Sequence, residues 1–255
     1  MSKRIAIITG ATGGIGREFT RLLVEEDIDE VWTVARNEKK LQELKKLYGE
    51  KVIPLAKDLT HTEEICEIEE KIKGESAEVL YLVNNAGMAK MGSYQEFSIQ
   101  ELENTIDLNC KAPVILSNLC IPYMKKGSHI LNISSASAFQ PNPYINLYAA
   151  SKAFERSYSR ALNVEVENLG IIVTAVCPSW VDTEMLIKER NGKKVKFPGI
   201  VTAEAVAKQA MKDAKKGKDM SICKCQINAA KAYDETLDAW IEEVFMKKTP
   251  FYTIT

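Results

Sequence analysis

Short, near-continuous apolar runs alternate with helical patterns along most of this chain, and that rhythm restricts the fold more than any other feature. The runs are Ile5–Ile8, Val31–Val34, Val52–Leu55, Val79–Val83, Ile130–Ile133 and Ile171–Val176. Helical patterns at about 14–26, 38–47, 63–73, 98–109, 112–124 and 148–168 follow or separate them. A strand that is apolar at every position is buried on both faces, whereas a half-solvated one alternates. Repetition of strand, helix and strand therefore predicts an α/β protein: a mostly parallel sheet with helices on both faces, three layers (αβα) and about seven strands. Right-handed crossovers make it doubly wound. No linker, repeat or low-complexity tract divides the 255 residues, so one domain over 1–255 is expected.

The charge pattern excludes several classes of function. Thirty-four Lys and Arg nearly balance 35 Asp and Glu, for a net charge of −1, with no basic stripe for nucleic acid or an anionic membrane. No apolar segment approaches the ~18 residues of a membrane span. Met1 to Arg4 leads straight into the first apolar run without a signal-peptide core, which points to the cytoplasm. Six cysteines show no C-x-x-C spacing, and His61 and His129 are the two histidines, so no metal site is expected.

The first strand is followed by Thr9-Gly10-Ala11-Thr12-Gly13-Gly14-Ile15-Gly16, and then by the first helix. Glycines in a strand-to-helix turn let the backbone approach a pyrophosphate while the helix N-terminus faces its negative charge. The spacing is G-x-x-x-G-x-G rather than G-x-G-x-x-G. About twenty residues on, where an acid would hold the ribose hydroxyls of NAD, stand Ala35, Arg36 and Asn37; an arginine there favours the 2′-phosphate of NADP. NADP(H) is therefore the preferred cofactor and NAD(H) the alternative. Asp58, before Leu59, either accepts from an adenine amino group or caps the helix beginning near Thr62. Asn84-Asn85-Ala86-Gly87 ends the fourth strand with small residues that permit close approach to a cofactor.

Tyr148 and Lys152 lie four apart in the helical pattern after Ser134-Ser135-Ala136-Ser137, hence on one helix face. An ammonium beside a phenol favours the phenolate, which suits Tyr148 to general acid–base work, and a serine hydroxyl at the strand end could bond the same reacting oxygen. The competing reading is an ordinary amphipathic helix start.

In this order, the glycine turn, Asn84-Asn85-Ala86-Gly87, Asn109, Ser135, Tyr148 and Lys152 resemble the classical short-chain dehydrogenases/reductases, over the chain to about residue 183. The resemblance implies a Rossmann-type fold and hydride transfer between a nicotinamide and a ketone or secondary alcohol. It makes Tyr148 the acid–base, Lys152 the residue that holds the nicotinamide ribose and lowers the Tyr pKa, and Ser135 the group on the substrate oxygen. Asn109 would interrupt its helix and anchor a water in a proton relay. The cofactor would contact Gly10, Thr12, Gly13, Gly14, Ile15, Gly16, Arg36, Asn37, Asp58, Leu59, Asn85, Ala86 and Gly87, together with Tyr148 and Lys152. Cys177-Pro178-Ser179-Trp180-Val181-Asp182-Thr183 is similar to the family's Pro-Gly-x-Val-x-Thr segment, so Pro178, Val181 and Thr183 would lie at the nicotinamide end. Ser179 replaces the usual Gly and would alter the turn; helix capping is the competing use of Thr183.

By position, Met88, Tyr144, Trp180 and Met185, with Leu186, are candidates for the substrate pocket, and about 184–200 matches the family's substrate loop. An amphipathic helix expected at about 226–246 replaces the family's glycine-bearing tail, which disfavours the usual tetramer and leaves a homodimer open. A hydroxysteroid dehydrogenase, a 3-oxoacyl-carrier-protein reductase and a non-catalytic NADPH-binding sensor remain the alternatives to a carbonyl reductase.

Overall fold

The computed structural model describes residues 2–186, 189–190, 193–194, 197 and 199–222. The expected helix at about 226–246, Cys223, Cys225 and part of the 184–200 loop lie outside the described residues.

Among the described residues the sheet has seven parallel strands, in line with the expected mostly parallel sheet of about seven. They are β1 (Arg4–Thr9), β2 (Glu30–Ala35), β3 (Val52–Ala56), β4 (Glu78–Asn84), β5 (His129–Ile133), β6 (Ile172–Val176) and a final two-residue strand, Met220–Ser221. From one edge the order is Met220–Ser221, β6, β5, β4, β1, β2, β3. The chain leaves β1 towards one edge and later returns to β4 on its other side. The resulting crevice above the carboxyl ends of β1 and β4 is where open α/β sheets bind ligands. Pro54 takes no part in a central ladder: it sits in β3, an edge strand, opposite Thr33.

Alternate residues of the strands bury into different helical layers. Ala6 and Ile8 face α1 (Gly14–Val24), α2 (Glu38–Tyr48) and α7 (Ala203–Ala214), packing with Phe19, Leu23, Leu41 and Met211. Ile5 and Ile7 face α3 (Thr62–Gly74), α5 (Ala112–Cys120) and α6 (Asn146–Glu165), packing with Ile65, Ile68, Leu116 and Leu162. Each of these Ile, Leu, Phe and Met side chains contributes about 1.5–3 kcal/mol by leaving water.

Three local features differ from the sequence reading. α4 (Ile99–Ile106) and α5 are not separated by a gap but joined through a π-helical turn, Asp107–Lys111, closed by Ala112 N–H donating to the Asp107 carbonyl. α6 begins at Asn146, two residues before Tyr148. Ser179 is not among the non-glycine residues with positive φ, which are Ser76 and Tyr144 among the described residues, so the Ser-for-Gly exchange introduces no left-handed strain. Among the described residues no helix is long and apolar enough to cross a membrane.

Candidate active site

The glycine turn is held from below. Thr9 Oγ1 accepts from the backbone N–H of Asn85 and of Ala86, both at 2.9 Å. Asn85 Nδ2 donates to the carbonyls of Thr9 and Gly10, both at 3.0 Å. Asn85, expected at the cofactor, thus uses its amide to strap the end of β4 to the turn. Gly10 has φ +61°, and a Cβ there would lie 2.8 Å from Ala86 Cα, so no other residue fits without moving β4. A Cβ at Gly16 would collide with the Gly10 carbonyl.

α1 opens on Gly13 as N-cap, with no side-chain cap and no acidic residue in its first turn. The N–H groups of Gly14, Ile15 and Gly16 therefore meet neither a capping side chain nor a carboxylate, which is the chemistry a pyrophosphate needs. Thr183 closes the other wall, since a Cβ on Gly14 would lie 2.6 Å from Thr183 Cγ2. Its carbonyl accepts a turn bond from Leu186 at 3.3 Å, and no described helix begins there. Glycine cradle, bare helix terminus and absent acids together fit a dinucleotide.

At the far side of the crevice, Arg36 follows β2 with its side chain 71% exposed and Nη1 3.9 Å from Asp58 Oδ2. Asn37 caps α2, accepting from Lys40 N–H at 3.0 Å. Asp58 does not cap α3, whose N-cap is His61; it bonds the Thr60 N–H at 3.0 Å and hydroxyl at 2.8 Å in a turn before the helix. Burial alone would raise Asp58, but the two Thr60 bonds and the Arg36 charge outweigh it and hold the carboxyl below its usual range. Leu59 is buried in the core beneath α5, so only its backbone is left for a cofactor.

The remaining residues gather at the end of β5. Lys152 lies on the buried stripe of α6 and its Nζ donates to the Ile133 carbonyl at 2.6 Å and to Glu155 Oε2 at 2.8 Å. The same Nζ is 5.8 Å from the centroid of the Tyr148 ring. Ser134 Oγ donates to the Lys152 carbonyl at 2.7 Å, tying β5 to α6. Ser135 caps a short 3₁₀ turn, Ala136–Phe139, accepting the Ser137 N–H at 3.1 Å. The Pro178 carbonyl accepts the Ala136 N–H at 2.8 Å, so the segment after β6 is joined to the serine turn.

Asn109, buried in the π-turn, accepts the Met88 N–H at 2.9 Å and donates to the Met88 carbonyl at 2.9 Å and to Ser151 Oγ at 3.0 Å. Ser151 passes its own hydrogen to the Tyr148 carbonyl at 2.7 Å. A Cβ on Gly87 would sit 3.4 Å from both Asn109 Oδ1 and Lys152 Nζ, which places this glycine between them. The structure therefore brings Asn109, Gly87, Tyr148, Lys152 and the serine turn to one place.

Of the pocket candidates, Met88 is fixed through its backbone by Asn109. Tyr144 holds φ +62° while its carbonyl accepts the Gly92 N–H at 2.8 Å. Trp180 packs on Phe197 with ring centroids 5.0 Å apart, and Met185 is 57% exposed. Two residues escaped the sequence reading. Ser151 links Asn109 to α6, and Glu155, 1% exposed, pairs with Lys152. The signal for Glu155 was its place on the stripe Ala149, Lys152, Glu155, Ser159 and Leu162, all buried.

The family model described as short chain dehydrogenase matches residues 4–194. The very-long-chain 3-oxoacyl-CoA reductase of Anas platyrhynchos is 36% identical over 194 residues, covering 71% of this chain and 60% of that protein. The 17-beta-hydroxysteroid dehydrogenase type 3 of Rattus norvegicus is 34% identical over 215 residues, covering 81% and 68%. A short-chain dehydrogenase from Sphingobium yanoikuyae, solved in complex with NADPH, superposes with a TM-score of 0.76 at 26% identity, covering 98% of each chain. With strand order, glycine turn and family match in agreement, the chain belongs to the short-chain dehydrogenases, oxidoreductases that act on CH–OH and C=O groups with a nicotinamide dinucleotide.

Proposed function

We propose that this chain is an NADP(H)-dependent carbonyl reductase or secondary-alcohol dehydrogenase acting on a bulky, apolar ketone, with Tyr148 as its acid–base. The observation that carries the reading is the Lys152 ammonium, fixed by two bonds beside the Tyr148 ring at the end of the strand that leads to Ser135.

The glycine turn and the first turn of α1 would hold the pyrophosphate, Arg36 a 2′-phosphate, and Gly87, Lys152, Val181 and Thr183 the nicotinamide end. When bound, the nicotinamide supplies or takes the hydride. The chain's own residues do the rest. Ser135 donates its hydroxyl to the substrate oxygen, which fixes the carbonyl and supports it as charge develops. Tyr148 gives that oxygen its proton in reduction and removes it in oxidation. Lys152 stabilises the phenolate left behind. Asn109 holds Met88 in place, and with it the pocket wall next to Gly87.

The substrate class rests on the apolar pocket candidates Met88, Tyr144, Trp180 and Met185, and on two relatives, one named for a very-long-chain 3-oxoacyl-CoA and one for a 17-beta-hydroxysteroid. Arg36, exposed and with its described ionic partner Asp58 3.9 Å away, supports NADP(H) over NAD(H). A homodimer is supported by Ile99, Leu102 and Ile106, which form an exposed apolar face on α4.

NADPH oxidation against a panel of aliphatic ketones, a steroid ketone and a 3-oxoacyl thioester, repeated with Tyr148→Phe, tests the proposal. Turnover by the wild type alone, with NADPH affinity equal in both, supports it. Equal binding with no turnover by either favours the sensor. Selectivity for the thioester or the steroid assigns the chain to that branch instead of a general ketone reductase.

A further inference from the structure

Glu155 is a buried acid one helical turn below Lys152, and none of the roles described so far uses it. The two side chains are 5% and 2% exposed, with Nζ and Oε2 2.8 Å apart. Neither solvent nor salt screens such a pair effectively. An aliphatic side chain of similar volume would fill the site at least as well, because a buried ion pair is weak as a stabilising device. An ammonium has three N–H donors. Two are committed, to Glu155 and to the Ile133 carbonyl at 2.6 Å, and both lock Nζ in its place beside Tyr148.

The pair also determines what charge Tyr148 meets. With the carboxyl ionised, lysine and glutamate together are nearly neutral as seen from the phenol. With the carboxyl protonated, the whole ammonium charge acts on it. Among the described residues the other titratable groups here are Cys110 in the π-turn, Cys177 after β6, and Arg156 on α6, whose guanidinium lies over the Phe139 ring. Burial pushes the two thiols up to about 11 and about 12, so they stay neutral where a cellular enzyme works.

We propose that Glu155 is a positioning residue for the reaction: it fixes the Lys152 ammonium and, through its own protonation, sets how readily Tyr148 releases its proton. This rests on the acid–base role proposed for Tyr148. Burial pushes Glu155 up to about 7 despite the pull of Lys152, which puts the change of state in the working range.

The test compares kcat-against-pH profiles for ketone reduction and alcohol oxidation in wild type, Glu155→Gln and Glu155→Asp, at saturating NADP(H). In Glu155→Gln the uncancelled ammonium favours the phenolate, so the midpoints of both profiles move to lower pH by about one unit. Glu155→Asp, which restores the charge, moves back towards wild type. Profiles that superimpose, or a shift to higher pH, overturn the proposal; a purely structural role lowers Tm and active fraction without moving the midpoint.

A second measurement needs neither turnover nor a folded variant. Carbon-13 NMR of wild type labelled at the glutamate carboxyls shows one resonance titrating near 7 if Glu155 behaves as proposed. All glutamates titrating below about 5 overturn it. An enzyme that turns over no ketone but shows that resonance refutes the Tyr148 reading rather than the state of Glu155. Should Glu155→Gln fail to fold, the wild-type kcat profile decides: an inflection at the midpoint of that resonance supports the proposal, and its absence overturns it.

Discussion

Lys152 and Arg36 lie at opposite ends of this crevice, and their surroundings have little in common. Lys152 is buried and makes two bonds of 2.6 and 2.8 Å. Its neighbour Asn109 makes three of 2.9–3.0 Å within a π-turn. Arg36 is 71% exposed and its described ionic partner is 3.9 Å away. The contrast follows from the work proposed for each end. Proton and hydride transfer need groups fixed before the substrate arrives, in a medium where their charge is not screened. Choosing between two dinucleotides needs only a cation that can reach a phosphate, and an exposed guanidinium does this at little cost to the fold.

Substitutions at the two ends should therefore fail in different ways. Lys152→Met is expected to have the largest effect. It leaves Glu155 buried without its partner, which should lower stability in chemical denaturation, and it abolishes ketone reduction. Loss of activity with unchanged stability would contradict the buried pair. Arg36→Asp should leave stability unaltered and raise KM for NADPH about 10–100-fold, the equivalent of one charge-assisted hydrogen bond, with kcat retained. An unchanged preference for NADPH over NADH would remove Arg36 from the cofactor assignment.

Asn109→Ala strands the Met88 N–H and carbonyl, and should lower stability by about 1–3 kcal/mol and reduce kcat more than it raises KM for NADPH. Equal loss in both kinetic parameters would mean that the π-turn serves both ends alike. The smallest effect is expected at His129, at the opposite end of β5, which supplies a baseline outside the crevice. Burial holds its imidazole neutral and lowers its pKa, while the unfolded chain binds a proton below about 6.5. Stability from this residue is therefore present above that pH and is lost as pH falls through it. His129→Phe should flatten the decline in stability as pH falls below about 6.5, as measured by Tm against pH.

The same contrast separates what could be read from sequence from what could not. Strand positions, the glycine turn and the shared face of Tyr148 and Lys152 follow from local spacing, and they were legible. Side chains whose role depends on a distant segment were not. Asp58 has the look of a helix cap, yet the chain turns at Thr60 first and His61 takes the N-cap position. Asn85 looks available to a ligand, but its amide is used on Thr9 and Gly10, 75 and more residues earlier. The family resemblance marks Asn109 as interrupting its helix, but nothing in the helical pattern itself discloses the π-turn or its bonds to Met88. Glu155 lies on a buried stripe, but an acid three residues from a lysine on a helix reads as a solvated pair until its partner is seen to be buried as well.

The central claim, that proton transfer belongs to the buried end of the crevice, is tested most directly in a single turnover. NADPH prebound to enzyme is mixed with an apolar ketone at saturation, and its oxidation is followed in wild type and Tyr148→Phe. Removing one general acid–base should slow the step about 10²–10⁴-fold while NADPH affinity stays the same. Oxidation at the wild-type rate in Tyr148→Phe would contradict the account.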